Sequence, residues 1–153
     1  MTGPAPIVFE ETVSYLLAKV TTAYRNAIER HLGEIDLHSG QTFVLIELWA
    51  EDGLRPVDLA HRLNVKPPTV SNMLKGLDKI NLIKMKKTDG DGRSVRVFLT
   101  GRGKLIRSEV ERRWIDVEAE CVGSLTPTDR YVMMDLLRKL HSTYTGQKFE
   151  VEE

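Results

Sequence analysis

The chain has 153 residues, of which 41% are hydrophobic and 29% are charged, so it can bury a core as one folding unit without metal or disulfide support. No apolar run approaches the roughly 18 residues that span a bilayer, and the N-terminus lacks the basic flank and apolar stretch of a signal peptide. We therefore expect a cytoplasmic protein without a membrane partner, and the single cysteine, Cys121, agrees with a reducing compartment.

Charge is distributed unevenly along the chain, although the formal net charge is zero. Residues 62–107 contain twelve Lys or Arg against three Asp, whereas the rest of the chain contains ten basic and nineteen acidic residues. A basic middle between acidic ends is typical of a segment that contacts phosphate groups. A solvated basic surface explains the same charges equally well, so the choice depends on the pattern of the elements.

Two helices are predicted in the first third of the chain. Apolar residues recur at three- and four-residue steps from Phe9 to Leu32, which predicts an amphipathic helix at about residues 8–32, with Gly33 as its stop. Ser39 is a suitable N-cap for a second helix that ends near Gly53. The apolar stripe of this second helix consists of Phe43, Leu45, Ile46, Leu48 and Trp49.

The next two helices are predicted to form a helix-turn-helix. Pro56 suits the first position of a short helix that stops at Asn64, and Pro67 opens another that runs to about Ile80. Asn81 is expected to end it, because Asn tolerates the left-handed backbone of a C-terminal cap. Such a pair places its second helix in the major groove of DNA, although a helical hairpin buried in a core gives the same pattern.

A β-hairpin and two further helices complete the predicted elements. From Leu82 the hydrophobic period changes to two, which predicts two strands on either side of the turn at residues 89–92. Thr100 is expected to cap a long helix through Cys121, and Thr126 to cap a last one. The last helix has apolar residues on both sides, which indicates burial within the chain and against a partner.

From about Val13 to Tyr144 the sequence resembles the MarR family of bacterial regulators. The most specific match is residues 91–103, which follow the family's pattern of D-x-R, an apolar strand and L-T-x-x-G. The other landmarks of the resemblance are Leu37, Gln41, Leu45, Asp58-Leu59-Ala60, Thr69-Val70-Ser71, Leu77 and Asn81-Leu82-Ile83.

The resemblance implies a mainly α fold with a small β-hairpin wing. In this fold, residues 37–100 form a winged helix-turn-helix DNA-binding domain, and residues 8–34 and 101–146 form the helical arms of a homodimer. The resemblance also implies a cytoplasmic repressor that binds palindromic double-stranded DNA and is released by a small effector. Two recognition helices related by a dyad would contact half-sites about 10 bp apart, or a small multiple of one DNA turn apart.

Site residues are predicted on the second helix of the helix-turn-helix and on the wing. The predicted recognition residues are Lys66, Pro68, Thr69, Ser71, Asn72 and Lys75, and the predicted wing residues are Lys86, Lys87, Asp91, Arg93 and Arg96. The resemblance implies that Arg93 reaches toward the minor groove and that Asp91 helps to hold the hairpin. In the alternative, these two residues merely pair across a turn.

The chain departs from the family pattern at three places. Lys66 stands where the family often has a capping Ser or Thr, and Lys cannot accept the amide hydrogen bond. Gly90 and Gly92 stand where relatives commonly carry Arg or Lys, so we expect a weaker minor-groove contact. Asn81 replaces the usual Gly at the end of the recognition helix, which should cost little.

An effector crevice is a further implication of the family, whose members bind small phenolic or anionic molecules between the arms and the DNA-binding domain. Residues that could line such a crevice are Tyr15, His38, Trp49 and Trp114. Aromatic residues at helical spacing are more often simple core. A redox role for Cys121 is not expected, because it lies in an apolar pattern and the reactive cysteine of redox-sensing relatives lies in the first helix.

Other classes of function have less support in the sequence. We find no catalytic motif, no metal-ligand cluster and no phosphate loop, so we predict no enzyme activity, no cofactor and no metal site. A winged-helix module that docks on acidic protein surfaces is the remaining alternative, and it predicts no preference for palindromic DNA.

Overall fold

The computed structural model describes residues 5–88 and 94–148. Within these residues the chain forms seven α-helices and one antiparallel pair of strands, preceded by a short 3-10 turn at Phe9–Glu11. The elements are α1 (Val13–Gly33), α2 (Ser39–Ala50), α3 (Pro56–Arg62), α4 (Pro67–Lys79), β1 (Ile83–Lys87), β2 (Val95–Leu99), α5 (Gly101–Leu105), α6 (Arg107–Val122) and α7 (Pro127–Thr145). The predicted fold class, mainly α with a β-hairpin, is confirmed.

The first helix begins later than predicted. The Thr12 hydroxyl accepts a hydrogen bond from the Tyr15 amide at 3.3 Å, so Thr12 is the N-cap of α1, and the apolar residues before it lie outside the helix. Gly33 is the last residue of α1, as predicted, but the left-handed residue of the following turn is Asp36, with a φ of 58°.

The start and the buried side of α2 differ from the prediction. His38, not Ser39, is the N-cap, because the Glu29 carboxylate of α1 accepts the Ser39 amide at 2.8 Å in place of a capping hydroxyl. Phe43 and Ile46 are 38% and 36% exposed, although the predicted stripe included them. The core side of α2 carries Thr42, Val44, Leu45 and Leu48 instead.

The helix-turn-helix agrees closely with its prediction. Pro56 and Pro67 open their helices at positions where a backbone N–H has no helical partner. Asn64 and Asn81 end them with φ values of 50° and 61°, which Asn tolerates better than most residues. The Val65 amide donates to the Ala60 carbonyl at 3.0 Å and fixes the turn between the two helices.

The wing and the following helix were predicted in part. β1 and β2 pair from Ile83 opposite Leu99 to Lys87 opposite Val95, as expected, and the predicted turn at residues 89–92 lies outside the described residues. The single long helix predicted after Thr100 is interrupted at Ile106, between α5 and α6. The Trp49 indole donates to the Gly103 carbonyl at 2.9 Å, and that carbonyl would accept the Arg107 amide in an unbroken helix.

The core lies in a region that we call the helix-turn-helix lobe, which comprises residues 37–100 and the parts of α1 and α6 that pack on them. Its fully buried side chains come from the second half of α1, from α2, α3 and α4, from the wing and from α6. They include Ile28, Leu32, Leu37, Val44, Leu45, Leu48, Leu59, Val70, Leu77, Leu82, Ile83, Val97 and Val117. By contrast, α7 has no buried residue. Among the described residues, no helix combines the length and apolar character that a membrane crossing needs.

Candidate nucleic-acid interface

The outer side of α4 presents every predicted recognition residue to solvent. Val70, Leu74 and Leu77 are buried at steps of three and four residues, and this spacing turns the polar side of the helix outward. The exposed residues are Lys66, Pro68, Thr69, Ser71, Asn72 and Lys75. The helix therefore offers hydroxyl, amide and ammonium groups at one surface.

The start of α4 has the uncapped form that the sequence indicates. Lys66 occupies the N-cap position with an extended backbone, and its side chain makes no capping hydrogen bond. The first turn offers no free amide, because Pro67 and Pro68 carry no N–H and the Thr69 and Val70 amides donate to the Lys66 carbonyl at 3.0 and 3.3 Å. Attraction of a phosphate to this helix start therefore depends on the Lys66 ammonium and the helix dipole, not on free amides.

Close contact with α2 fixes the position of α4. A Cβ atom added at Gly76 would lie 2.2 Å from the Gln41 amide nitrogen, so a larger residue would displace the Gln41 side chain. The same Gln41 side chain accepts the His38 amide at 3.0 Å and thereby caps α2. Gln41, a landmark of the resemblance, therefore ties the start of one helix to the middle of the other.

The described part of the wing carries a row of exposed lysines. Lys84, Lys86 and Lys87 lie on β1, and the Lys86 ammonium lies 5.6 Å from the centroid of the Phe98 ring on β2. A cation over an aromatic ring is held without losing its charge. The predicted wing residues Asp91 and Arg93 lie outside the described residues.

Arg96 has a partner within the fold. Its guanidinium donates to the Gly53 carbonyl at 2.8 Å, at the loop that follows α2. The Asp52 carboxylate in the same loop accepts the Leu99 amide at 2.9 Å, and the Val97 amide donates to the Leu54 carbonyl at 2.8 Å. The loop after α2 thus lies beside β2 and is hydrogen-bonded to it. A DNA contact by Arg96 stays a prediction.

Sequence reasoning missed the role of Asp52, the residue before the Gly53 at which the second helix was predicted to end. Gly53 has a φ of 80°, and its amide donates to the Val97 carbonyl at 3.0 Å. An Asp-Gly pair followed by an apolar residue is a turn signal, and Leu54 is the buried residue that follows it here. That signal could have predicted a chain reversal onto the sheet.

Another contact that sequence reasoning missed holds the start of α3. The Arg55 guanidinium donates two hydrogen bonds to Asp58, at 2.9 Å each, and lowers the pKa of that carboxyl to about 2. The Asp58 carboxylate also accepts the Arg55 amide at 3.3 Å. This landmark aspartate therefore closes the first turn of α3 as an ionised group.

A cleft of about 520 Å³ separates α2 from α6. Its lining residues are Ile46, Trp49, Ala50, Arg107, Val110, Glu111, Trp114 and Ile115. Two of the four predicted effector residues, Trp49 and Trp114, therefore line one cleft. The other two, Tyr15 and His38, are not among the lining residues. Tyr15 lies near Lys19 on α1, and His38 contacts Glu29 at 3.1 Å. An effector role for all four stays a prediction.

Cys121 is partly buried beside the core. Burial, with smaller contributions from Glu120 and Glu118, raises the pKa of its thiol above the ordinary value, which disfavours the reactive thiolate. In residues 5–88 and 94–148, no group of three His, Cys, Asp or Glu side chains is placed to hold a metal ion.

Comparisons with known proteins agree with this geometry. A profile of the MarR family matches residues 37–95. The chain is 29% identical over 89 residues to the HTH-type transcriptional regulator TtmR of Methylorubrum extorquens, across 58% of this chain and 44% of that protein. It therefore spans less than half the length of TtmR. It is 25% identical over 130 residues to the HTH-type transcriptional repressor Rv2887 of Mycobacterium tuberculosis, across 85% of this chain and 94% of that protein.

A solved structure gives the same result for the fold. The regulator BpsR of Bordetella bronchiseptica, whose DNA binding is regulated by 6-hydroxynicotinic acid, is similar with a TM-score of 0.80 at 25% identity, across 90% of this chain and 99% of that one. A helix-turn-helix with an exposed polar helix, followed by a basic hairpin, defines the winged-helix class of nucleic-acid-binding proteins. Residues 37–95 therefore match the MarR family of DNA-binding transcription regulators, and the chain as a whole has the fold of the regulator BpsR.

Proposed function

We propose that the chain acts as a homodimeric repressor that binds palindromic operator DNA and is released from it by a small effector. The observation that carries the proposal is the surface of α4, where all six predicted recognition residues are exposed. This helix lies within a segment, residues 62–107, that has twelve basic and three acidic residues. A strongly basic segment around such a helix supports binding to duplex DNA.

Residues in the first turns of α4 suit base contacts. Thr69, Ser71 and Asn72 are exposed near its start, where recognition helices enter the major groove. The Asn72 amide can donate and accept at one base edge, as adenine requires, while Lys66 and Lys75 suit phosphate oxygens. Arg93 is expected at the minor groove on the strength of the family resemblance.

The arms support assembly of two copies. No residue of α7 is buried, although its exposed side chains include Tyr131, Val132, Met133, Met134, Leu136, Leu137 and Tyr144. On α1, Val13, Leu16 and Val20 are also more than half exposed. Apolar surface on two long helices is typical of an interface between subunits. A second copy of the chain is the partner that a closed symmetric assembly supplies.

The α2–α6 cleft suits an aromatic effector with an acidic group. Trp49 and Trp114 supply flat apolar walls, and the Arg107 guanidinium supplies a positive charge. The regulation of BpsR by 6-hydroxynicotinic acid supports an effector of this chemistry. Such a ligand releases DNA only if it prefers the conformation in which the two α4 helices are misplaced for the operator.

Selection of genomic fragments by the purified protein tests the proposal. We expect enrichment of an imperfect palindrome with half-sites about 10 bp apart, or a small multiple of one DNA turn. Affinity for that duplex should fall steeply as salt rises, because phosphate contacts release counterions. A protein that selects no symmetric motif, or that binds it equally at low and high salt, would contradict the proposal.

A matched pair of lysine variants locates the interface. Lys75→Ala on α4 should weaken binding to all duplexes and reduce the slope of log affinity against log salt by about 1. Lys139→Ala on α7 removes the same charge far along the chain from the helix-turn-helix and should leave that slope unchanged. Equal effects of the two variants would remove α4 from the interface.

A further inference from the structure

We propose that Trp49 is a positioning residue for DNA binding. Its indole N–H holds in place the turn at residues 100–103, which consists of the N-cap Thr100 and the first residues of α5. This turn then fixes the end of α4 and the base of the wing. The proposal rests on the DNA-binding function proposed above and adds the contact through which the α2–α6 cleft acts on the DNA-contacting elements.

The turn at residues 100–103 is bonded to the segment that ends α4. The Thr100 hydroxyl donates to the Asn81 carbonyl at 2.8 Å, and the Thr100 amide donates to the Leu82 carbonyl at 3.0 Å. The Arg102 guanidinium donates to the Ile80 carbonyl at 3.1 Å. Three consecutive carbonyls between α4 and β1 are thus satisfied by two residues of one turn.

Gly103 brings this turn directly against that backbone. A Cβ atom at Gly103 would lie 2.0 Å from the Leu82 carbonyl oxygen, so the contact is made by main chain on main chain. Leu82 itself is fully buried, and its amide donates to the Leu77 carbonyl at 3.0 Å. Because no side chain separates the two segments, a displacement of the turn must displace the end of α4 as well.

Trp49 holds the other side of the turn. Its Nε1–H donates to the Gly103 carbonyl at 2.9 Å. This is the carbonyl that the Arg107 amide would bond if α5 and α6 were one unbroken helix. The Arg107 guanidinium lies 6.0 Å from the centroid of the Trp49 ring, which helps to fix the indole. Trp49 on α2 is therefore connected to α4 through the turn at residues 100–103. Trp49 bonds the turn on one side, and on the other side the turn bonds the backbone that ends α4.

The same indole forms part of the cleft between α2 and α6. An occupant of the cleft therefore contacts the side chain that holds the turn. Trp114 lines the same cleft, but its ring packs edge to face on Phe43 of α2, with centroids 5.9 Å apart. The two tryptophans therefore make a matched pair: both line the cleft, and Trp49 is the one bonded to Gly103.

Tryptophan-to-phenylalanine variants of the full chain separate the two roles. Trp49→Phe keeps an aromatic ring but removes the donor, so affinity for the selected operator should fall roughly fivefold, the equivalent of one net hydrogen bond. Trp114→Phe removes the same atoms from the cleft and should change the affinity by less than about twofold. Equal affinities of the two variants would overturn the proposal.

Hydrogen exchange gives a second readout that does not depend on DNA. The amides of Leu82, Thr100 and Gly103 donate to the Leu77 carbonyl, the Leu82 carbonyl and the Thr100 hydroxyl. We expect them to exchange roughly fivefold faster in Trp49→Phe than in Trp114→Phe, at similar melting temperatures. Unchanged exchange at these amides would overturn the proposal even if DNA binding were weaker.

The two measurements distinguish failure of this inference from failure of the proposed function. If the wild-type protein selects no DNA, the proposed function fails and, with it, a positioning role in DNA binding, whatever the exchange rates show. If the wild-type protein selects an operator and Trp49→Phe matches Trp114→Phe, the function stands and the positioning role fails.

Discussion

The helix-turn-helix lobe and the last helix use their apolar residues in opposite ways. In α4, Val70, Leu74 and Leu77 are buried against neighbours in the same chain, and the polar side is left to solvent. In α7, apolar residues occur on more than one side and none is buried. The lobe therefore has its packing partners within the chain, whereas the exposed apolar surface of α7 is available to the second copy that we propose.

This contrast predicts that substitutions in the two regions change different properties of the protein. A change in the lobe core should act on the folding of each subunit, and a change on α7 should act on the association of subunits. Changes on the outer side of α4 should act on neither, and only on DNA binding.

Truncation in the lobe core should have the largest effect. Leu77 is fully buried on α4, so Leu77→Ala should lower the free energy of unfolding by about 2 to 5 kcal/mol through lost burial and a residual cavity. Urea denaturation followed by circular dichroism measures this change. Leu105→Ala, at a residue that is 80% exposed, is the control and should cost less than about 0.5 kcal/mol. Similar costs at both sites would contradict the packing described here.

A charge on α7 should dissociate the dimer without unfolding the subunit. Leu137 is 46% exposed in the single chain, and Leu137→Glu would bury an unpaired carboxylate in the proposed interface. We expect the dimer to weaken by at least about a hundredfold, as the cost of burying a charge implies. Analytical ultracentrifugation measures the change.

The control for this variant adds the same charge on the same helix. Thr128→Glu lies in the first turn of α7, where an acidic residue is favourable, and should leave the dimer intact. If Leu137→Glu sediments as the wild-type protein does, this side of α7 is not the interface. A monomeric Thr128→Glu would also count against the assignment.

The comparison of lobe and arm also explains what could be predicted from the sequence. Pro56, Pro67 and Asn81 set the bounds of α3 and α4 by local backbone chemistry, and the structure confirms those bounds. The family and the fold class followed from a resemblance to known regulators, carried above all by residues 91–103. Exposure of the recognition residues followed from the helical period alone.

Features that depend on distant contacts were predicted less well. The N-cap of α2 is His38 because Glu29, from another helix, takes the Ser39 amide, and no local rule contains that contact. The interruption at Ile106 coincides with the bond from Trp49 to Gly103, across a separation in sequence that no local pattern shows. The cleft brings Trp49 and Trp114 together for the same reason, while Tyr15 and His38 lie elsewhere.

On the outer side of α4, Asn72→Ala should alter sequence preference and nothing else. Loss of a bidentate base contact should reduce discrimination at one base pair of each half-site by about 1 to 3 kcal/mol. Competition binding with single-base operator variants measures this discrimination. Unfolding and sedimentation should match the wild-type protein, because Asn72 is exposed in the described structure.

A second exposed residue serves as the control for the Asn72 experiment. Thr143→Ala on α7 removes a hydroxyl that donates to the Lys139 carbonyl of its own helix, so operator discrimination should not change. If Asn72→Ala discriminates between operator variants as well as the wild-type protein does, Asn72 contacts no base.

The smallest expected effect concerns the contact between α1 and α6 within one chain. The Glu120 carboxylate on α6 accepts two hydrogen bonds from Arg30, at 2.9 and 3.0 Å, and contacts His31 at 2.7 Å. These partners lower the pKa of Glu120 from its ordinary 4.5 to about 2. The folded state therefore favours the ionised carboxylate, and the stability it contributes is present above pH 4.5 and is lost as the pH falls toward 2.

Glu120→Gln should accordingly flatten the acid limb of stability. Thermal unfolding should show the wild-type protein to be the more stable of the two above about pH 5, and this difference should shrink as the pH falls toward 2, so that Glu120→Gln loses less stability on acidification. Glu118→Gln removes a neighbouring exposed carboxylate on α6 and is the matched control. Because α1 and α6 are joined within one chain, the effect should not depend on protein concentration, unlike that of Leu137→Glu. A difference between Glu120→Gln and the wild type that grows on dilution would place this ion pair between subunits instead.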